Sequence, residues 1–200
     1  MAVLAACLRR HHLPLLLGLI ALVLAAAGES ATEVLRFDRA AIAQGQGWRL
    51  LSGNLVHLGW VHLLLNLAGL GLIWLLVHDQ WPTAAWWLIM LISSLAVGLG
   101  LWWFNPELMW YVGLSGALHG LFAAGAAAGA ARRQNWEAWA LLAAVTAKLA
   151  WEQYAGPLPG SAEAAGGPVI VDAHLYGAAG GAGTAALLLL LPRRCQPGRG

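Results

Sequence analysis

Six stretches of mostly apolar residues follow one another along this chain, at 13–28, 55–77, 83–104, 112–131, 136–152 and 169–191. Each comes close to the roughly 20 residues a helix needs to cross the hydrocarbon core of a bilayer. Turn or charge signals separate them: Asp79 to Pro82, Asn105-Pro106-Glu107, Arg132-Arg133-Gln134-Asn135, and the Gly/Pro-rich stretch Gly156 to Pro168. The segment 29–54 is too polar to span and is expected to form a long external loop with short helices on the membrane surface. Composition agrees: 60% of residues are hydrophobic and 10% charged, against about 25% charged in a soluble domain. Twelve Trp beside three Tyr and three Phe fit the preference of indole for membrane interfaces. The expected fold is an all-α polytopic membrane protein, a six-helix bundle forming one domain over residues 1–200.

Other classes fall away on similar grounds. A net charge of +2 with scattered Lys and Arg gives no stripe for tracking phosphates, so no nucleic-acid partner is expected. Two cysteines, Cys7 and Cys195, make no disulfide framework. Arg9-Arg10 followed by an apolar run ending Ala25-Ala26-Ala27 also fits a cleavable signal peptide. A retained first span is preferred, because the rest of the chain needs no signal once that span inserts. Placing both termini inside puts Arg9, Arg10, Arg132, Arg133, Arg193, Arg194 and Arg199 on the cytoplasmic side, which obeys the positive-inside rule.

Ionisable groups within a bilayer are costly, so each one is a functional candidate. On this topology His62 and Asn66 lie in the outer half of the second span, and Ser115 with His119 one turn deeper in the fourth. Asp172 and His174 lie near the outer end of the sixth span, and Lys148 and Glu152 near that of the fifth. Polar groups from four spans thus meet at one depth, as a cavity open to the outer face requires. Gly113 and Gly116 flank Ser115 and leave its hydroxyl open to a carbonyl carbon, whereas Gly120 and Gly125 read as packing notches. Gly177 and Gly181 follow His174 on nearly the same face and let the fourth span approach. A serine on one span facing a histidine on another makes a nucleophile and general base. His62 and Asn66, four apart, share a face and can donate to an oxyanion.

These residues resemble the rhomboid intramembrane serine proteases. The resemblance runs over nearly the whole chain: Trp48-Arg49 in the first loop, His57 and His62-x-x-x-Asn66, Gly113-Leu114-Ser115-Gly116, and Ala173-His174-x-x-Gly177. It implies Ser115 as nucleophile, His174 as general base, and an oxyanion hole of His62, Asn66 and the Ser115 N–H. Many rhomboids carry an aromatic residue, usually Tyr, where this chain has His119. That departure, with Lys148, Glu152-Gln153 and the run Val169 to Gly177, resembles the rhombosortase subgroup. The resemblance implies membrane-anchored substrates bearing a C-terminal GlyGly-CTERM tag (a glycine pair, an apolar span and a basic tail). It also implies a bacterial inner-membrane location with the site opening to the periplasm, and no cofactor or metal.

Several assignments stay open at this level. His119, at i+4 from Ser115, could itself serve as base, though the family match favours His174. Asp172, two residues from His174, points away from it, so a dyad held by packing is expected rather than a triad. Lys148 and Glu152 are read as an i, i+4 pair that neutralises itself, with a role in holding a tagged substrate as the alternative. His57 is expected to make a structural hydrogen bond, Arg49 to order the loop, and Trp86-Trp87 with Trp102-Trp103 to form an aromatic belt. Other functions weighed are a rhomboid protease of general specificity, a metal hydrolase using His62, His119 and His174, and a non-catalytic membrane binding protein.

Overall fold

The computed structural model describes residues 2–133 and 136–191, with backbone alone for residues 2–10 and 133. Cys195 and the C-terminal arginines lie outside the described residues, as do the side chains of Cys7, Arg9, Arg10 and Arg133. The chain runs through α1 (Ala2–Ala26), α2 (Glu29–Leu35), β1 (Phe37–Asp38), α3 (Arg39–Ala43) and α4 (Arg49–Ser52). Next come α5 (Trp60–Val77) with a 3-10 turn at His78–Gln80, α6 (Thr83–Phe104), β2 (Trp110–Tyr111) and α7 (Ser115–Arg133). The last elements are α8 (Trp136–Ala155), α9 (Ser161–Ala165) and α10 (Val171–Leu190).

Helices therefore stand where the six apolar runs lie. Among the described residues three are long and apolar enough to cross a membrane, Trp60–Gln80, Thr83–Phe104 and Val171–Leu190. A fourth is added if His11–Ala26 and Glu29–Leu35, bent by 117°, count as one span. The helices α7 and α8 fall short for different reasons. Small Gly and Ala side chains make up most of α7, while α8 carries Glu137, Lys148 and Glu152. Within α1, Leu13, Leu17 and Ala21 are buried, and Leu13 and Leu17 join Leu70 and Trp74 in the core.

At the centre stands α7, buried along nearly its whole length and packed against α10, α6, α8 and α5. Its small residues let α10 come within backbone contact. A Cβ at Gly177 would collide with the Gly116 carbonyl, and one at Gly181 with the Gly120 backbone. Gly120 is further closed in by Ser93 of α6, and Gly125 by Val77. Bulky apolar side chains are left on the outside, including Leu64, Leu72 and Leu75 on α5, Leu91 on α6, and Leu187 and Leu190 on α10. That distribution suits lipid as solvent.

The segment 29–54 is a folded strap of short helices. Arg49, with 9% exposure, ties it together, donating to the carbonyls of Glu33 (2.9 Å) and Arg36 (3.0 Å) and to Gln46 Oε1 (2.7 Å). Trp48 stays half exposed at the start of α4. The guanidinium of Arg39 reaches across to the C-terminal end of α6, donating to Leu101, Trp102, Asn105 and Leu108 carbonyls. The Trp102 carbonyl is one that a helix end leaves without an intrahelical partner, and the Leu101 carbonyl also accepts from the Asn105 N–H that caps the helix. The strap then pairs with the chain before α7 through an antiparallel bridge, Phe37 opposite Tyr111 and Asp38 opposite Trp110. Among the described residues this bridge is the only strand pairing in an otherwise helical chain.

Three helix starts and one tryptophan need correction here. The second, fourth and sixth apolar runs begin in turn and irregular chain, and their helices start later, at Trp60, Ser115 and Val171. For α7 the cause is Gly113, whose φ of +129° no right-handed helix accommodates. Trp86 is no belt residue: it is 1% exposed and its indole N–H donates to the His78 carbonyl (3.0 Å).

Candidate active site

The site is assembled where α7 begins. Tyr111, fixed by the bridge, donates its hydroxyl proton to the Gly113 carbonyl at 2.7 Å, and the Gly113 N–H donates to the Gly53 carbonyl at 3.0 Å. Gly113 is required twice over. Its φ is positive, and a Cβ there would lie 2.9 Å from His62 Cε1 and 3.1 Å from Nε2. His62 Nδ1 accepts from the Leu58 N–H (3.4 Å), so the ring proton sits on Nε2, the nitrogen facing this turn. Ser115 is the first residue of α7, and its N–H, like the other early N–H groups of a helix, has no partner within the helix.

Close approach of α7 and α10 then brings two side chains together. Gly116 lies against Ala173, whose carbonyl oxygen would be 2.8 Å from any Cβ added there. In the next position His174 Nε2 is 2.9 Å from Ser115 Oγ. The other face of the pairing comes from α8. Glu152 Oε2 lies 2.9 Å from His174 Nδ1, and Glu152 Oε1 lies 2.6 Å from Lys148 Nζ. A carboxylate can only accept, so Nδ1 carries the proton and Nε2 offers its lone pair to the serine hydroxyl. Glu152 and His174 are 3% and 5% exposed.

His119 takes a different place from that of a base. Its Nδ1–H donates to the Ser115 carbonyl (2.7 Å) and its ring stacks on His174, centroids 4.2 Å apart and planes 19° off parallel. The dyad held by packing is thus amended, since a buried carboxylate also holds the imidazole. Asp172 is turned away, as its spacing predicts, and accepts from Asn105, which in turn accepts from the Tyr176 hydroxyl (2.9 Å). Asn66 is buried and donates one amide proton to the His62 carbonyl (2.9 Å), leaving the second. His57 is corrected: buried at 6% exposure, it finds no hydrogen-bond partner for either ring nitrogen among the described residues and meets His62 edge-on at 5.1 Å.

Ligand atoms of His119, Glu152 and His174 lie within 4.8 Å of one another, a different trio from the expected His62, His119 and His174. The stacked rings hold their lone pairs in separate, nearly parallel planes, whereas a shared metal ion would have to lie in the plane of both. The residues therefore suit proton transfer better than metal ligation. Beside the site a cavity of about 500 Å³ opens between α2 and the start of α5, lined by Glu29, Glu33, His57, Trp60, Trp110 and Val112, among others.

Residues 44–191 match the Rhomboid domain. The chain belongs to the rhomboid family. Rhomboids are intramembrane serine proteases that act on membrane-protein substrates within the bilayer, so this chain is an integral membrane protein of a hydrolase family. No curated protein matches it. The match leaves α1, α2, β1 and α3 outside its limits and covers every side chain around Ser115 described above. Two features of this rhomboid site were not read from sequence, the part of Tyr111 and the contact of Glu152 with His174. Tyr111 carried no signal. Glu152 did carry one: Ala138, Val145 and Glu152, the buried residues of α8, recur every seven positions, which puts the acid on the inward stripe.

Proposed function

We propose that this rhomboid is an intramembrane serine endopeptidase in which Ser115 is the nucleophile and His174 the general base. The observation that carries the reading is the 2.9 Å contact between Ser115 Oγ and His174 Nε2, made by side chains of different helices. In the first step the hydroxyl proton passes to Nε2 as Oγ bonds to the scissile carbonyl carbon. The oxyanion that forms is met by the Ser115 N–H, His62 Nε2–H and the free amide proton of Asn66. Collapse breaks the C–N bond, the leaving amine takes the proton from His174, and an acyl-enzyme remains. Water then gives a proton to His174 as it attacks the ester carbonyl, and collapse breaks the C–Oγ bond while His174 returns that proton to Ser115 Oγ and the acid is released.

Six spans are proposed, α1, α5, α6, α7, α8 and α10, in one domain of the bacterial inner membrane with both termini cytoplasmic. Ser115 opens α7, His174 and His62 lie in the first turns of α10 and α5, and Glu152 lies in the last turn of α8. Arg132 and Arg133 close the far end of α7. That polarity supports a site under the periplasmic face, where water is at hand. For specificity we favour the rhombosortase-like reading, with substrates ending in a glycine pair, an apolar run and a basic tail. A helix must open locally to present its carbonyl, and a glycine pair lowers the cost of opening.

Reconstituted enzyme should cleave a membrane-anchored reporter carrying that tail, and replacing its glycine pair with leucines should slow cleavage at least about tenfold. Equal cleavage of both reporters would favour a protease of general specificity. Cleavage that survives Ser115→Ala but stops with a chelator would favour a metal hydrolase. Absence of cleavage and of serine labelling would leave a binding protein.

A further inference from the structure

We propose that Glu152, itself clamped by Lys148, is the positioning residue of this site, setting the proton and orientation of His174. This rests on the serine-protease reading above and extends it. The carboxylate is divided between two partners, Oε1 to Lys148 at 2.6 Å and Oε2 to His174 Nδ1 at 2.9 Å. Mutual neutralisation of an i, i+4 pair does not explain the division. Lys148 is 32% exposed, and a pair serving only itself could remain beside it near the helix surface. Glu152 is instead turned inward to 3% exposure, at the desolvation cost of a buried charge, and the polar group it meets there is the imidazole.

Packing leaves a task undone that this contact performs. Stacking on His119 fixes the plane of the His174 ring, yet it sets neither which nitrogen carries the proton nor where the ring stops within that plane. A bond from Nδ1–H to a carboxylate sets both, leaving Nε2 as the lone-pair nitrogen on Ser115. When the serine proton moves to Nε2, the resulting imidazolium lies beside a fixed anion in a low-dielectric interior, where such a contact is strongest. Lys148 keeps that anion in one rotamer and leaves the resting trio of Lys⁺, Glu⁻ and neutral His without net charge.

The test uses the full chain in liposomes, reading kcat and KM on a membrane-anchored reporter together with the rate of Ser115 inactivation by a fluorophosphonate. Glu152→Gln keeps the shape and removes the charge. It should lower kcat and the inactivation rate about 100-fold with KM within about twofold. Glu152→Asp should recover part of that, to about tenfold below wild type. Lys148→Met should cost about three- to tenfold, and Lys148→Met with Glu152→Gln, which leaves no unpaired charge to disturb folding, should match Glu152→Gln alone. Tyr154→Phe, exposed on the same helix, should change nothing. Wild-type kcat in Glu152→Gln alongside an inactive Ser115→Ala would overturn the assignment while leaving the protease reading intact. So would equal losses in the Gln and Asp variants with KM raised. Full activity in Ser115→Ala would remove the protease reading, and this inference with it.

Discussion

The neighbouring helices α7 and α8 both lack the hydropathy of an ordinary membrane span, and they use that freedom in opposite ways. The first is enclosed on nearly every side by α5, α6, α8 and α10, so Gly and Ala serve it better than Leu: close backbone approach matters there, and lipid contact hardly arises. The second buries little besides Ala138, Val145 and Glu152, and turns most of its surface outward. One supplies the serine on a scaffold dense enough to hold it, and the other supplies a single inward acid. The serine and the inward acid thus come from different helices with different tolerance for change.

That contrast can be broken most forcefully at the seam. Gly177→Leu would drive side-chain atoms into the Gly116 carbonyl and should destabilise by about 3 kcal/mol or more, seen as loss of folded protein in detergent. Ala144→Leu, on the exposed side of α8, should stay within about 0.5 kcal/mol. Gly113→Ala should come next. It combines a strained φ, worth roughly 1–3 kcal/mol, with displacement of His62, so reporter turnover should fall at least about tenfold. Val145→Ala tests the single buried stripe of α8 and should lower stability by roughly 1–2 kcal/mol, with a smaller loss of turnover.

A smaller loss than at Val145 is expected in the strap. Asp38 caps α3 by accepting from the Ala41 N–H (3.1 Å) and pairs with Arg36 at 3.3 Å; the Ala41 N–H is the main reason its carboxyl is held below the ordinary value of 3.8. A lowered folded-state value means that its stabilisation is present above 3.8 and is lost as pH falls through the folded value. Asp38→Ala should therefore cost about 0.5–1 kcal/mol near neutral pH and remove that part of the acid sensitivity, measurable by thermal melts across pH.

The legibility of the molecule follows the same division. Apolar runs placed the long helices, because length and hydropathy are local properties, and the Gly113-Leu114-Ser115-Gly116 turn gained its weight from histidines at the same depth on other spans. Convergence of polar groups at one depth brought Glu152 close to the site without giving it His174 as a partner. Its partner was hidden because an i, i+4 Lys–Glu pair already accounts for both charges, and nothing local says which way the acid turns. Arg39 and Tyr111 act across more than sixty and across two residues respectively, and neither follows from helical periodicity. His57 runs the other way: its sequence position called for a hydrogen bond, and burial beside His62 supplied a ring contact in its stead.

The pairing of Ser115 with His174 is tested most directly by exposing membranes to a fluorophosphonate and following covalent labelling of the wild type beside Ser115→Ala, His174→Ala and His119→Ala. The account predicts labelling of the wild type, none in Ser115→Ala, a loss of at least about 100-fold in rate for His174→Ala, and retained labelling in His119→Ala. Labelling that persists without Ser115, or that survives removal of His174 and vanishes with His119, would contradict it.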